Sequence, residues 1–139
     1  MAQSIREVMT ADPRTVESGA TVADAARVMR DGDVGSVVVV ENGNVAGIVT
    51  DRDIAVRVVA QGLDPDATKV SEAATMRPTT LTVDQTVDDA IRLVREHNIR
   101  RILVVQDGRP AGIVSLGDLA IERDTSSALA DIASEPANN

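Results

Sequence analysis

Apolar positions along the chain switch between a helical and a strand rhythm, and each switch coincides with a turn or capping residue. Ile5, Val8 and Met9 fall at helical spacing, and Asp12-Pro13 closes that stretch because the residue before proline avoids the helical region. A short strand is predicted over 14–17. Thr21 then suits an N-cap with Asp24 three residues on, and Val22, Ala25, Ala26 and Met29 form the stripe of the helix that follows. Gly32 and Gly35 mark its exit. Residues 36–41 read as a β-branched, fully buried strand, and Asn42-Gly43 favours a type I′ hairpin that returns the chain through 45–49. Thr50 starts another helix with Ile54 and Val58 inward, and Gln61-Gly62-Leu63-Asp64-Pro65 ends it.

The same order then recurs. A helical arm over 70–75, Pro78 and a strand near 80–83 lead into a helix capped by Thr86 with Asp89, with Val87, Ala90, Ile91 and Val94 as its stripe. Strands over 101–106 and 110–114 flank an Asp107-Gly108 turn, and Ser115 opens a helix to about residue 123. Leu129 and Ile132 suggest another helical turn or two, and 135–139 a frayed tail. Gly47-Ile48-Val49-Thr50-Asp51-Arg52-Asp53 and Gly112-Ile113-Val114-Ser115-Leu116-Gly117-Asp118 stand 65 residues apart, and that offset aligns 15–58 with 80–123 without a gap. The chain is thus a tandem duplication of a β-α-β-β-α unit. The expected domains are a first repeat with its N-terminal helical arm over 1–65, a second repeat over 66–124, and a helical turn with frayed tail over 125–139. A unit of about 60 residues buries little surface alone, so the halves are expected to share a core.

Composition narrows the chemistry. With no Phe, Tyr or Trp the core must be aliphatic, and stacking platforms for single-stranded nucleic acid are missing. A net charge of −8, from 22 acidic and 14 basic residues, argues against a phosphate backbone as the main partner. The absence of cysteine excludes disulfides and thiolate metal sites. No signal-peptide core or long apolar span is visible, so a cytoplasmic protein with no membrane role is expected.

On the paired heptads, repeated helices and repeated hairpins, the chain resembles the CBS domain, the module named after cystathionine β-synthase, as a tandem pair or Bateman module. Gly-h-x-(Thr/Ser)-x-x-(Asp/Asn) is that family's signature, and both copies satisfy it. The Gly112–Asp118 copy is also similar to the corresponding stretch of the γ subunit of AMP-activated kinase. The resemblance runs from Ile5 to about Arg123. It implies an α/β (α+β) fold of two repeats related by pseudo-two-fold symmetry and packed through their small sheets. It also implies a stand-alone regulatory, energy-sensing module that binds AMP, ADP or ATP between the repeats, needs no further cofactor, forms a homodimer and serves a client protein.

Carried onto this chain, the resemblance has Asp53 and Asp118 accept from a ribose diol and Thr50 and Ser115 donate to phosphate, with Gly117 in the same stretch. It sets Arg100 and Arg101 where the family often places a cation against phosphate, with Gly35 and Ser36 as their first-copy counterparts. The base would lie near Thr15-Val16 or Thr80-Leu81. The physics agrees, since a hydroxyl at a helix N-cap beside unpaired N–H groups favours an anion and a carboxylate accepts from two hydroxyls. Arg100 and Arg101 lie in one copy only, while Asp51 and Asp53 crowd the other. Phosphate is therefore expected to sit better at Ser115 and Asp118. The proline often found in the family's second strand is absent, with Val38 and Leu103 in its place.

Thr50 with Asp53 and Ser115 with Asp118 are equally good capping boxes that need no ligand. A ligand-independent dimerisation or scaffold module is therefore a competing reading. A third is an accessory that binds S-adenosylmethionine or NAD. His97, the only histidine, reads as a solvated helix-end residue. No Ser-His-Asp set, Walker loop, H-E-x-x-H or metal-ligand cluster appears, so neither an enzyme nor a metal site is expected.

Overall fold

The computed structural model describes residues 3–123. In chain order its elements are α1 (Ile5–Val8), β1 (Thr10–Ala11), β2 (Thr15–Glu17), α2 (Val22–Gly32), β3 (Ser36–Glu41), β4 (Asn44–Thr50) and α3 (Asp51–Ile54). A π-helical turn, Ala55–Val59, extends α3. Then come α4 (Val70–Ala73), β5 (Thr75–Met76), β6 (Thr80–Thr82), α5 (Val87–His97), β7 (Arg101–Gln106), β8 (Arg109–Ser115) and α6 (Leu116–Arg123). The helical turn and frayed tail expected beyond residue 124 lie outside the described residues.

The chain divides into two compact units, one made of 13–78 and the other joining the N-terminal arm to 79–123. We call them the Thr50 unit and the Ser115 unit. The Thr50 unit has a four-stranded mixed sheet in the order β2-β3-β4-β5; the Ser115 unit has β1-β8-β7-β6. In each, the central hairpin is antiparallel and one edge strand pairs parallel to it, Thr15 opposite Val38 and Thr80 opposite Leu103. Both hairpins carry a register shift in the same place, between Val39 and Val40 and between Val104 and Val105.

Turn chemistry explains why these elements stop where they do. Asn42 and Gly43 take φ of 55° and 81°, and Asp107 and Gly108 take 54° and 79°, so both hairpins use the type I′ geometry that matches strand twist. Asp33 and Asn98 end α2 and α5 in the left-handed region, where short polar side chains are tolerated. Among the described residues, the six non-glycine residues with positive φ fall into three pairs at the repeat offset: Asp12 with Arg77, Asp33 with Asn98, and Asn42 with Asp107.

The units do not follow the boundaries drawn from the sequence. The sequence assigns the N-terminal arm to the first repeat, but β1 pairs with β8 of the second, Thr10 opposite Ile113. The arm that precedes the second repeat pairs with the first, Thr75 opposite Ile48. Equivalent bonds dock them: Ile5 N–H donates to Gln85 O at 2.8 Å and Val70 N–H to Ala20 O at 2.7 Å. The chain thus crosses from one unit to the other at Asp12-Pro13 and again at Pro78-Thr79.

Each unit has its own cluster of buried side chains. Val16, Val22, Ala25, Met29, Val37, Val39, Val49 and Val58 build the Thr50 unit's cluster, and the arm adds Val70 and Ala73. Leu81, Val87, Ala90, Ile102, Val104, Val114 and Leu119 build the other, to which the exchanged arm adds Ile5. Core residues of β3 and β7 alternate, as strand geometry requires. Val38 and Leu103 lie on the opposite face of their sheets and are also buried.

Candidate functional site

Each unit gathers its signature residues at one end of its sheet, where the hairpin's second strand hands over to a helix. In the Ser115 unit Arg101, first residue of β7, stands directly opposite Ser115, last residue of β8. Residues opposite one another in an antiparallel pair project to the same face, so guanidinium and hydroxyl share a side of the sheet. Arg100 is exposed, and its carbonyl accepts from Leu116 N–H at 2.7 Å, which ties the start of α6 to the start of β7.

Ser115 and Asp118 form a reciprocal cap. Asp118 N–H donates to Ser115 Oγ at 3.1 Å, and Ser115 N–H donates to Asp118 Oδ2 at 3.0 Å. The Ser115 hydroxyl hydrogen is not used by these bonds, and Asp118 Oδ1 lies outside them. The cap can therefore stay intact while the hydroxyl donates to an anion and the carboxylate accepts from a sugar hydroxyl. Gly117 adds no side chain and Leu116 no charge beside it.

The Thr50 unit repeats the frame with different chemistry. Thr50 stands opposite Ser36, which is buried, where the other unit has arginine. Asp53 N–H donates to Thr50 Oγ1 at 3.1 Å, and Thr50 N–H to Asp53 Oδ2 at 2.9 Å. Asp51 and Asp53 both lie in the first turn, where two carboxylates oppose a phosphate. Asp53 Oδ1 faces Arg57 Nη2 at 3.9 Å, and Arg57 Nη1 donates to Ala73 O at 3.0 Å. Arg57 was not singled out from the sequence. The visible signal is that its counterpart at the repeat offset is Glu122.

The four residues expected near a base divide by side-chain direction. Val16 and Leu81 point into the apolar clusters, so their side chains are unavailable to a ligand. In β2, Arg14 O and Ser18 N–H bond to β3, so strand alternation turns the backbone groups of Thr15 outward along the open sheet edge. Thr80 has the same register in β6. The threonines, not their neighbours, present hydrogen-bonding groups there.

Two observations separate cap from site. The box recurs at Thr21 with Asp24 and at Thr86 with Asp89, outside the signature stretches, with N–H to oxygen distances of 3.0 to 3.2 Å. Bonds from the Thr21 and Thr86 backbone hold the Asp24 and Asp89 carboxyls below the usual carboxylate range. The box by itself therefore signifies a helix start. The signature glycines also have a structural task. A Cβ on Gly47 would sit 2.7 Å from Met76 Sδ and from Thr75 O, and one on Gly112 would sit 2.6 Å from Met9 Sδ and 2.8 Å from Thr10 O. Both glycines make room for the exchanged arms.

No cluster of three or more His, Asp or Glu suited to a metal occurs among the described residues, and His97 is exposed at the end of α5. No helix among them is long and apolar enough to cross a membrane.

Residues 5–60 and 67–123 each match the CBS domain family. The chain is 39% identical over 120 residues to the CBS domain-containing protein YhcV of Bacillus subtilis, spanning 86% of this chain and 85% of that protein. The solved structure of the CBS domain protein PAE2072 from Pyrobaculum aerophilum, complexed with AMP, superposes with a TM-score of 0.77 at 30% identity, covering 86% of this chain and 92% of that one. Hypoxic response protein 1 of Mycobacterium tuberculosis is 30% identical over 116 residues, spanning 83% of this chain and 81% of that protein. The Hypoxic Response Protein I structure with two coordinated zinc ions has a TM-score of 0.75 at 29% identity and covers 85% of this chain and 97% of that one.

Proposed function

Since this chain belongs to the CBS domain family and carries two copies of the domain, we propose that it is a regulatory module that binds an adenine nucleotide and responds to its occupancy. The observation that carries the reading is Arg101 opposite Ser115 at the mouth of α6, with Asp118 beside them. Arg101 and the Ser115 hydroxyl take the phosphate, Asp118 Oδ1 takes the ribose diol, and the outward backbone of Thr80 meets the base edge. AMP bound to PAE2072, a relative at 30% identity, supports the choice of ligand class. The Thr50 unit offers a ribose acceptor in Asp53 without the matching cation, so it takes the same ligands more weakly. In this reading the module works as a homodimer on a client protein, and exposed Val56, Val59 and Leu63 support self-association, which light scattering at several concentrations measures.

Titration calorimetry with AMP and ATP tests the site. Asp118→Asn keeps an oxygen for the cap but loses the charge, and Arg101→Met keeps the stem. Each loses a charge-assisted hydrogen bond of about 1.5 to 3 kcal/mol, so affinity falls roughly tenfold or more, with helix content by circular dichroism as the folding control. Unchanged affinity in both variants refutes the site.

A second reading, a ligand-independent scaffold, draws on the two identical boxes at Thr21 and Thr86. It predicts no heat and no rise in unfolding temperature with any adenine nucleotide, S-adenosylmethionine or NAD.

A further inference from the structure

The exchanged arm of the Thr50 unit and that unit's signature carboxylate share one side chain. Arg57 lies in the π-helical turn, where Ala60 N–H bonds to Ala55 O at 2.9 Å instead of following the α-helical ladder. Such turns add a residue to the local winding and are frequent at functional places. From it the guanidinium reaches two groups: Ala73 O at the end of α4, at 3.0 Å, and Asp53 Oδ1 at 3.9 Å. Asp53 is mostly buried, with 17% of its side chain exposed, while Arg57 has 47% exposed. The carboxylate, held by its cap, is thus the enclosed partner and the guanidinium the solvent-facing one.

We infer that Arg57 is a positioning residue that links Asp53 to the seating of the arm over 69–76, so that a diol-bearing ligand taking Asp53 Oδ1 loosens that arm. The inference rests on the ribose role given to Asp53 in the preceding reading. The cap uses Oδ2, and Oδ1 is the oxygen that faces both Arg57, at 3.9 Å, and an incoming ligand hydroxyl, so a bound hydroxyl draws the carboxylate's charge away from that long ion pair. A ligand hydroxyl on that oxygen weakens the longer of the guanidinium's two contacts. Arg57 then regains side-chain freedom, which weakens its hold on Ala73 O. Besides the buried side chains of Val70 and Ala73, backbone bonds such as Val70 N–H to Ala20 O and Arg77 N–H to Ala46 O dock the arm, and its C-terminal strand β5 pairs with β4 over two residues. Arg57 supplies the charged donor at the end of α4, next to that short pairing, so its weakening is felt there first. Glu122 stands at the equivalent position of the second copy, so the link belongs to the Thr50 unit.

Hydrogen exchange of the 69–76 segment in the full chain tests this, using wild type, Asp53→Asn, Arg57→Met and the double variant, each with and without millimolar AMP or adenosine. Asparagine keeps the capping oxygen and methionine keeps the stem. Arg57→Met should raise exchange in the segment by roughly 3- to 10-fold, and Asp53→Asn by about twofold. The double variant should match Arg57→Met, because Asp53 acts on the arm only through the guanidinium. Ligand should raise exchange in wild type and leave the Arg57→Met segment unchanged. Multiplying single effects in the double variant overturn the link, as does a wild-type segment insensitive to a ligand whose binding depends on Asp53. If neither AMP nor adenosine binds, the nucleotide reading fails by itself, and the ligand-free comparison of the four proteins still decides whether Arg57 joins Asp53 to the arm.

Discussion

Replacing Gly47 by alanine probes why the signature begins with glycine. The added Cβ would lie 2.7 Å from Thr75 O, whereas an ordinary carbon to carbonyl-oxygen approach is about 3.3 to 3.6 Å, so β4 and β5 must part by roughly 0.6 Å or more. Met76 Sδ, also 2.7 Å away, can swing aside; the Thr75 backbone cannot. Overpacking of this kind costs about 1 to 3 kcal/mol, and opening the two-residue β5 pairing forfeits backbone hydrogen bonds of about 0.5 to 1.5 kcal/mol each. Against this, alanine restricts the unfolded chain and returns about 0.4 to 1 kcal/mol. The clash wins, for a net loss of about 1 to 2 kcal/mol, or a fall in midpoint of about 4 °C per kcal/mol at this chain length. Calorimetry is the assay, because the chain lacks Trp and Tyr for fluorescence. Gly47→Ala/Met76→Ala should remain destabilised, since the carbonyl stays in place, and Gly19→Ala, with nothing within 4 Å of its Cβ, is the control. A Gly47→Ala midpoint equal to that of Gly19→Ala would refute the reasoning.

Two further outcomes concern the caps and the hairpins. Asp24 and Asp89 are held below the usual carboxylate range by bonds from the Thr21 and Thr86 backbone, so the unfolded chain binds protons more readily at these sites. Their stabilisation is complete above the unfolded value of about 3.9 and is lost as pH falls through the lower folded values. The Asp24→Asn/Asp89→Asn variant should therefore lose stability less steeply than wild type below about pH 4, and parallel curves would count against it. Gly43→Ala places a side chain at φ 81°, beyond the left-handed region that Asn42 tolerates, and should cost about 1 kcal/mol in thermal unfolding, as should Gly108→Ala.

Local chemistry was legible wherever a few neighbouring residues decide the backbone. Asn42-Gly43 and Asp107-Gly108 announce type I′ turns, and Thr21, Thr50, Thr86 and Ser115 announce helix starts, because those preferences operate within four residues. Repetition at the 65-residue offset marked a duplicated fold and its paired signatures. The same locality kept cap and site apart from view, since a hydroxyl three residues before a carboxylate satisfies either.

What the sequence determined by itself is therefore the inventory: two β-α-β-β-α copies, their turns and caps, and a second copy with Arg101 where the first has Ser36. Only the tertiary structure decided which arm belongs to which copy. β1 and β5 are two residues long, too short to show a period, and Thr10 finds its partner at Ile113, far along the chain. Burial of Ile5 and Val70 in clusters built by the other repeat overrides chain proximity, since each apolar side chain goes where its surface leaves water. The reach of Arg57 from a π-helical turn to both Asp53 and Ala73 belongs to the same class: it depends on a helix winding and an exchanged arm, and no local pattern encodes either.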